Sequence, residues 1–103
     1  MKYEVYYAKH AAAMLPWSPA PSIKELAGTH VLVKTVEAND PEDVFMMMQG
    51  EVWSPNGEAN DLIRNLGVKH TSMSVGDIAK DETGTFWYCA DEGWKKLESA
   101  KST

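Results

Sequence analysis

A single cysteine, apolar runs of five residues at most, and one cation between residues 37 and 65 are the scarcities that bound this chain of 103 residues. Cys89 has no second cysteine to bridge to, so a disulfide framework and an all-cysteine zinc site are both excluded, and a reducing compartment fits. The apolar runs, residues 44–48 among them, fall far short of the ~20 residues a membrane helix requires. At the start, Met1-Lys2-Tyr3-Glu4-Val5-Tyr6-Tyr7 alternates like a strand and lacks the continuous apolar stretch of a secretory signal, so a cytoplasmic location is expected by default. The chain also lacks internal repeats and low-complexity tracts.

Core-forming material is plentiful. Hydrophobic residues make up 44%, with four Trp, four Tyr and two Phe, too rich a mixture for a disordered chain. One domain over residues 1–97 is expected, followed by a frayed tail at 98–103. The net charge of −5 is unevenly spread: residues 1–36 sum to +2, residues 37–65 to −6 and residues 66–103 to −1. The middle segment carries Glu37, Asp40, Glu42, Asp43, Glu51, Glu58 and Asp61 against Arg64 alone. Such a surface repels phosphate backbones and attracts basic partners, so direct nucleic-acid binding is disfavoured.

Periodicity sets the element order. Tyr3, Val5 and Tyr7 alternate with polar neighbours, predicting a first strand. Three prolines within residues 10–21 predict an ordered loop there. Ser22 stands three residues before Glu25, and Gly28 follows, predicting a short helix over 22–27. The run from His30 to Val36 is β-branched and alternating, which predicts a strand with Leu32, Lys34 and Val36 on one face and Val31, Val33 and Thr35 on the other. Asp40-Pro41-Glu42-Asp43 combines an N-cap, a first-turn Pro and two acids where the helix dipole favours them, so a helix from 41 to about 49 follows. Ser54-Pro55 repeats the start signal, and Ala59, Leu62, Ile63 and Leu66 recur at helical spacing before Gly67. Met73, Val75 and Ile78 then lead into a strand. A turn over Asp81-Glu82-Thr83-Gly84 and an aromatic strand over 85–90 predict a C-terminal hairpin, with Phe86 and Tyr88 on one face, Trp87 and Cys89 on the other, and a short strand near Lys95. The sum is an α+β domain of two layers: an antiparallel sheet of about four strands with two or three short helices.

Chemistry concentrates in His70-Thr71-Ser72-Met73-Ser74-Val75-Gly76-Asp77-Ile78, which packs five hydrogen-bonding side chains directly after a helix stop. Two readings stand side by side. His70, Thr71, Ser72, Ser74 and Asp77 converge on a small ligand or nucleotide, with Trp94 or Trp87 as a stacking wall; or Ser72, Ser74 and Asp77 satisfy backbone groups at a tight strand entry. A Ser-His-Asp triad within one extended nonapeptide lacks a nucleophile elbow and an oxyanion hole, so no catalytic residue is assigned. His10, His30 and His70 lack the short spacing of metal ligands, so neither metal nor cofactor is expected. Trp87 and Trp94 as a base-stacking platform would need a basic groove, and Lys95, Lys96 and Lys101 are too few to make one. Met46, Met47 and Met48 span about 200° of a helix, so at least one is exposed.

The chain resembles the small YodL-like domains of phages, plasmids and other mobile elements. Three segments carry the resemblance: the acidic helix entry Asp40-Pro41-Glu42-Asp43-Val44-Phe45, the signature from His70 to Ile78, and Tyr88-Cys89-Ala90-Asp91-Glu92-Gly93-Trp94. That likeness implies a non-enzymatic phage or mobile-element accessory protein in the host cytoplasm. Its action would be stoichiometric binding to a host macromolecule, as a host-defence inhibitor of the anti-CRISPR or anti-restriction type. The expected partner has a basic surface, and the expected contacts are Asp40, Glu42, Asp43, Glu51, Glu58 and Asp61 with Phe45, Met47 and Trp53 as apolar anchors. A second copy of the chain is a further candidate partner.

Overall fold

Successive side chains of a strand point to opposite faces, and the alternation of Tyr3, Val5 and Tyr7 with Lys2, Glu4 and Tyr6 produces β1, Lys2–Ala8. The computed structural model describes residues 1–9, 26–90 and 92–97. In it β1 lies between β2, His30–Glu37, and β3, Ile78–Lys80, antiparallel to both. β4, Phe86–Ala90, and β5, Gly93–Lys96, complete a five-stranded antiparallel sheet of order β2-β1-β3-β4-β5. The fold is α+β with a C-terminal hairpin, as the sequence predicts, with one strand more than the expected four. Residues 10–21, 22–25 and 98–103, where a loop, most of the first helix and a frayed tail are expected, lie outside the described residues.

Helical segments follow their caps, with two corrections. α1, Leu26–Thr29, runs through Gly28 instead of stopping there and passes directly into β2. α2, Pro41–Met47, starts as predicted, with the Asp43 N–H donating to the Asp40 carboxylate at 2.8 Å. A separate turn, α3, Gly50–Trp53, comes next, and α4, Asn60–Asn65, begins well after Ser54-Pro55. Ser54 closes α3, its N–H donating to the Gly50 carbonyl, while its hydroxyl accepts from the Ala59 N–H at 2.8 Å. The hydroxyl read as a helix start therefore bridges two helices. Leu62, on the predicted apolar stripe, is 41% exposed, whereas Ala59 and Ile63 are buried.

β2 departs from strict alternation. Val5 pairs with Lys34 and Tyr6 with Leu32, which leaves Val33 as the extra residue of a β-bulge. The bulge resets the side-chain phase, so Val33 and Val36 are both buried while Leu32 is exposed. Two apolar clusters result. One holds Tyr3, Val5, Tyr7, Val36, Val44, Met48, Ile63 and Met73, with Trp87 and Trp94 partly buried against it. On the other, Leu26, Ile78, Tyr88 and Leu97 pack with Tyr6 and Phe86. Phe86 and Tyr88 thus share one cluster and Trp87 joins the other, as the alternation predicts.

The β3–β4 turn is organised by one side chain. Asp81 accepts from the Thr83 and Thr85 N–H groups, the Thr83 hydroxyl and the Trp87 indole N–H, between 2.6 and 3.1 Å. Burial pushes its carboxyl up, but these donors outweigh that and hold it at about 2. Gly84 supplies the positive φ of 88° that closes the turn. Among the described residues no helix is long and apolar enough to cross a membrane.

Candidate functional site

The segment 70–77 enters the sheet without regular structure of its own, so each backbone group there needs a partner from elsewhere. Asp77 is fully buried and supplies several of them. Its Oδ1 accepts from the Ala8 N–H at 2.8 Å, and its Oδ2 accepts from the Ser74 N–H and from His70 Nε2, each at 2.8 Å. Its own N–H donates to the Ser74 carbonyl, and its carbonyl accepts from the Cys89 N–H. One carboxylate thus joins the end of β1 to the 70–74 loop, while its backbone ties in β4. Burial pushes that carboxyl above the usual range, opposed by His70 and by the N–H groups of Ala8 and Ser74.

The Ser72 and Ser74 hydroxyls and the Thr71 carbonyl are engaged as well, whereas the Thr71 side chain lies against Gly50. The Ser72 hydroxyl accepts from the Gly50 N–H at 2.7 Å, and the Ser74 hydroxyl donates to the Ser72 carbonyl at 3.0 Å. The Thr71 carbonyl accepts from the Tyr7 hydroxyl at 2.7 Å and from the Trp53 indole N–H at 3.0 Å. Gln49 Nε2 donates to the carbonyls of Phe45 and Met73. The Tyr7 ring stacks on His70, with centroids 4.6 Å apart and planes 15° from parallel. Burial pushes the Tyr7 phenol well above its ordinary value. Ser72, Ser74 and Asp77 therefore satisfy backbone groups, and Trp94, the proposed stacking wall, directs its indole N–H to Glu42 at 3.4 Å.

Tyr7, His30, Gln49 and Trp53 were not among the residues the sequence tied to this segment. No local signal could have found them, because they lie on β1, β2 and the helical layer. His30 is the most informative of the four. It is 5% exposed, its Nε2 donates to the Gly76 carbonyl at 2.7 Å, and its Nδ1 lies 2.7 Å from the Thr29 hydroxyl. A neutral ring meets both contacts, donating through one nitrogen and accepting through the other. Burial pushes the His30 pKa below 6.5, against the Gly76 hydrogen bond and the Asp77 charge.

A pH dependence follows. With the folded pKa below the unfolded 6.5, the His30 contribution to stability is complete above 6.5 and is lost as the pH falls through the folded value. Asp77 has the opposite sign: its contribution is complete below 3.8 and is lost as the pH rises through its raised value. In urea unfolding, the part of the stability that depends on His30 should therefore decline below about pH 6.5, by up to about 1.4 kcal/mol per pH unit for one proton. His30→Gln should flatten that limb, and an unaltered limb would assign the decline to another group.

The acidic segment lies on α2, α3 and α4 and their connections. Asp40, Glu42, Glu51, Glu58 and Asp61 are exposed, while Asp43 is half-buried and accepts from the Asn39 N–H at 3.1 Å. Phe45, Met47 and Trp53, the expected anchors, are partly buried against the core. The large apolar side chains turned outward on this layer are Met46, Val52 and Leu62. Met48 is fully buried and Met46 is 61% exposed, so the methionine run divides between core and surface as its helical spacing requires.

Elsewhere an open groove of about 420 Å³ runs along the end of the sheet between Lys2, Glu4, Lys80 and Glu82. Its charges are partly self-neutralised, with Lys80 Nζ 3.9 Å from Glu4. Among the described residues no three His, Cys, Asp or Glu side chains cluster as metal ligands. Compared with known proteins, the chain matches no family model, no curated protein and no solved structure.

Proposed function

We propose that this protein works by stoichiometric binding, without catalysis, and that its acidic helical layer over residues 37–65 receives a macromolecular partner with a basic surface. The observation that carries the reading is where exposed apolar area coincides with charge. Of the five large hydrophobic side chains most exposed among the described residues, three, Met46, Val52 and Leu62, lie in the segment of seven acids and one arginine. A few apolar contacts inside a charged rim supply most of the energy of such interfaces, while the rim speeds encounter and sets salt dependence. The resemblance to mobile-element domains makes a component of host defence, met in the host cytoplasm, the partner class. Phe45, Met47 and Trp53 would then support the surface from beneath.

The test must spare the fold. Asp40 and Asp43 cap α2 and the chain entering it, so replacing them mixes charge reversal with loss of a helix cap, which alone costs about 1 kcal/mol. Glu42→Lys, Glu51→Lys and Asp61→Lys together reverse three exposed charges outside those cap contacts. Affinity capture from host-cell extract should retain proteins on the wild-type chain that the triple variant loses, and rising salt should release them. Identical retention by both chains would remove this surface from consideration.

A further inference from the structure

His70 carries a ring nitrogen that the fold leaves open. Its Nε2 donates to the fully buried Asp77 carboxylate at 2.8 Å, and its ring lies on Tyr7, with centroids 4.6 Å apart and planes 15° from parallel. One edge and one face of the imidazole are therefore fixed. Nδ1 makes no hydrogen bond to the described residues. Since no buried side-chain nitrogen or oxygen among them lacks a partner, Nδ1 reaches solvent, on a side chain that is 18% exposed.

The engaged Nε2 decides the chemistry of the free nitrogen. A neutral imidazole carries one proton, and the Asp77 carboxylate holds it on Nε2, so the lone pair of Nδ1 faces outward. The bond to Asp77 and the stacking on Tyr7 also fix the ring's rotamer, so a reaction at Nδ1 meets no ordering cost. The backbone beside the ring is equally unoccupied. Among the described residues, the N–H groups of Lys69, His70, Thr71 and Ser72 donate to no protein acceptor, and Lys69 is exposed. Successive unpaired N–H groups with an ammonium next to them are donors suited to phosphate oxygens. His30 offers no such nitrogen, being 5% exposed with both ring nitrogens engaged.

We propose that His70 is a phosphoryl-acceptor site, modified at Nδ1 by an N-phosphorylated donor of the phosphoramidate class. The Nδ1 lone pair attacks phosphorus, and the P–Nδ1 bond forms as the donor's P–N bond breaks. The donor nitrogen, protonated before transfer, takes the bonding pair and leaves as a neutral amine. The Nε2 proton stays on the ring, which becomes a cationic N-phosphoimidazolium. Asp77 faces that cation at hydrogen-bond distance and balances its charge from a site without water contact, where the attraction is strong. A histidine that served Asp77 only as a third donor would be no more reactive at Nδ1 than in the unfolded chain, which separates the two roles.

Mass spectrometry of the whole chain incubated with potassium phosphoramidate tests this. The folded chain should gain about 80 Da, a gain lost in brief acid and kept in alkali, as a P–N bond requires. Peptide mapping should place it on His70 and leave His30 unmodified. Nδ1 adjoins the side-chain methylene and is the more crowded nitrogen, so an unconstrained imidazole reacts chiefly at Nε2. Phosphorus NMR should therefore show the Nδ1 isomer on the folded chain and mainly the Nε2 isomer on the chain in urea. Because the ring is ordered beforehand, His70 should react about tenfold faster in the folded chain than in urea. His70→Gln should lose the Nδ1 signal, and the isomer and rate comparisons on the wild-type chain decide the matter if that variant fails to fold. No gain, an Nε2 product on the folded chain, or a His70 rate no higher than in urea overturns the proposal and leaves His70 as a structural donor to Asp77.

Discussion

Asp77→Ala should lower the stability of this domain by about 3–5 kcal/mol, because it removes a fully buried acceptor on which three hydrogen-bond donors converge. The mechanism is the loss of an acceptor shared by three donors. The Ala8 N–H, the Ser74 N–H and His70 Nε2 all point at this carboxylate, and a methyl group leaves them facing one another without an acceptor. Each buried donor without an acceptor costs about 1–3 kcal/mol. Against a total of about 5–15 kcal/mol for a domain, the loss should lower the thermal midpoint by about 15–30 °C. Asp77→Asn should recover only part of it. One amide oxygen can serve Ala8, but the amide NH₂ then faces the Ser74 N–H, donor against donor. Calorimetry of the two variants checks the prediction, and an alanine variant within about 1 kcal/mol of wild type would show that solvent supplies the missing acceptors.

Tyr7→Ala should cost a comparable amount, about 3–5 kcal/mol, because a fully buried aromatic ring near the end of β1 leaves a cavity that its neighbours cannot collapse into. The hydroxyl adds a separable part. It donates to the Thr71 carbonyl at 2.7 Å and lies 3.3 Å from the Met48 carbonyl, so Tyr7→Phe isolates about 1–1.5 kcal/mol of hydrogen bonding from the packing. The Thr71 carbonyl keeps the Trp53 N–H in that variant, which is why the effect stays small. Tyr7 and Asp77 both hold His70, one by stacking on its ring face and the other through Nε2 at its edge. Their double variant should therefore cost less than the sum of the two singles, by about 0.5 kcal/mol or more. Strict additivity in denaturant titrations would mean that the two side chains act independently and that the 70–77 segment is not a cooperative unit.

What could be read without the fold shares one property, which is that cause and effect lie within a few residues of one another. Asp40 caps a helix through Asp43, three residues on. Asp81 closes its turn through Thr83 and Thr85. The three consecutive methionines cannot share one helix face whatever surrounds them, and the acidic excess of residues 37–65 is a property of composition. Where the reading needed a distant strand it went astray. The expected faces of β2 ignored a bulge that exists only in the pairing with β1. Ser54 was read as a helix start because nothing nearby in sequence shows that α3 ends on it. Residue type alone does not separate Phe45, Met47 and Trp53, partly buried against the core, from Met46 and Val52, which the position of the sheet leaves facing outward.

By itself, then, the sequence determined the α+β class, the capped α2 helix, the C-terminal hairpin and the negative middle segment, because propensity, capping and charge act locally. Only the tertiary structure decided what the polar residues of 70–77 do. Asp77 meets Ala8 from 69 positions away in the chain, and the choice between a ligand-facing and a chain-facing carboxylate depends on which backbone groups burial leaves without water. That demand arises when the layers pack, and no short window of residues contains it.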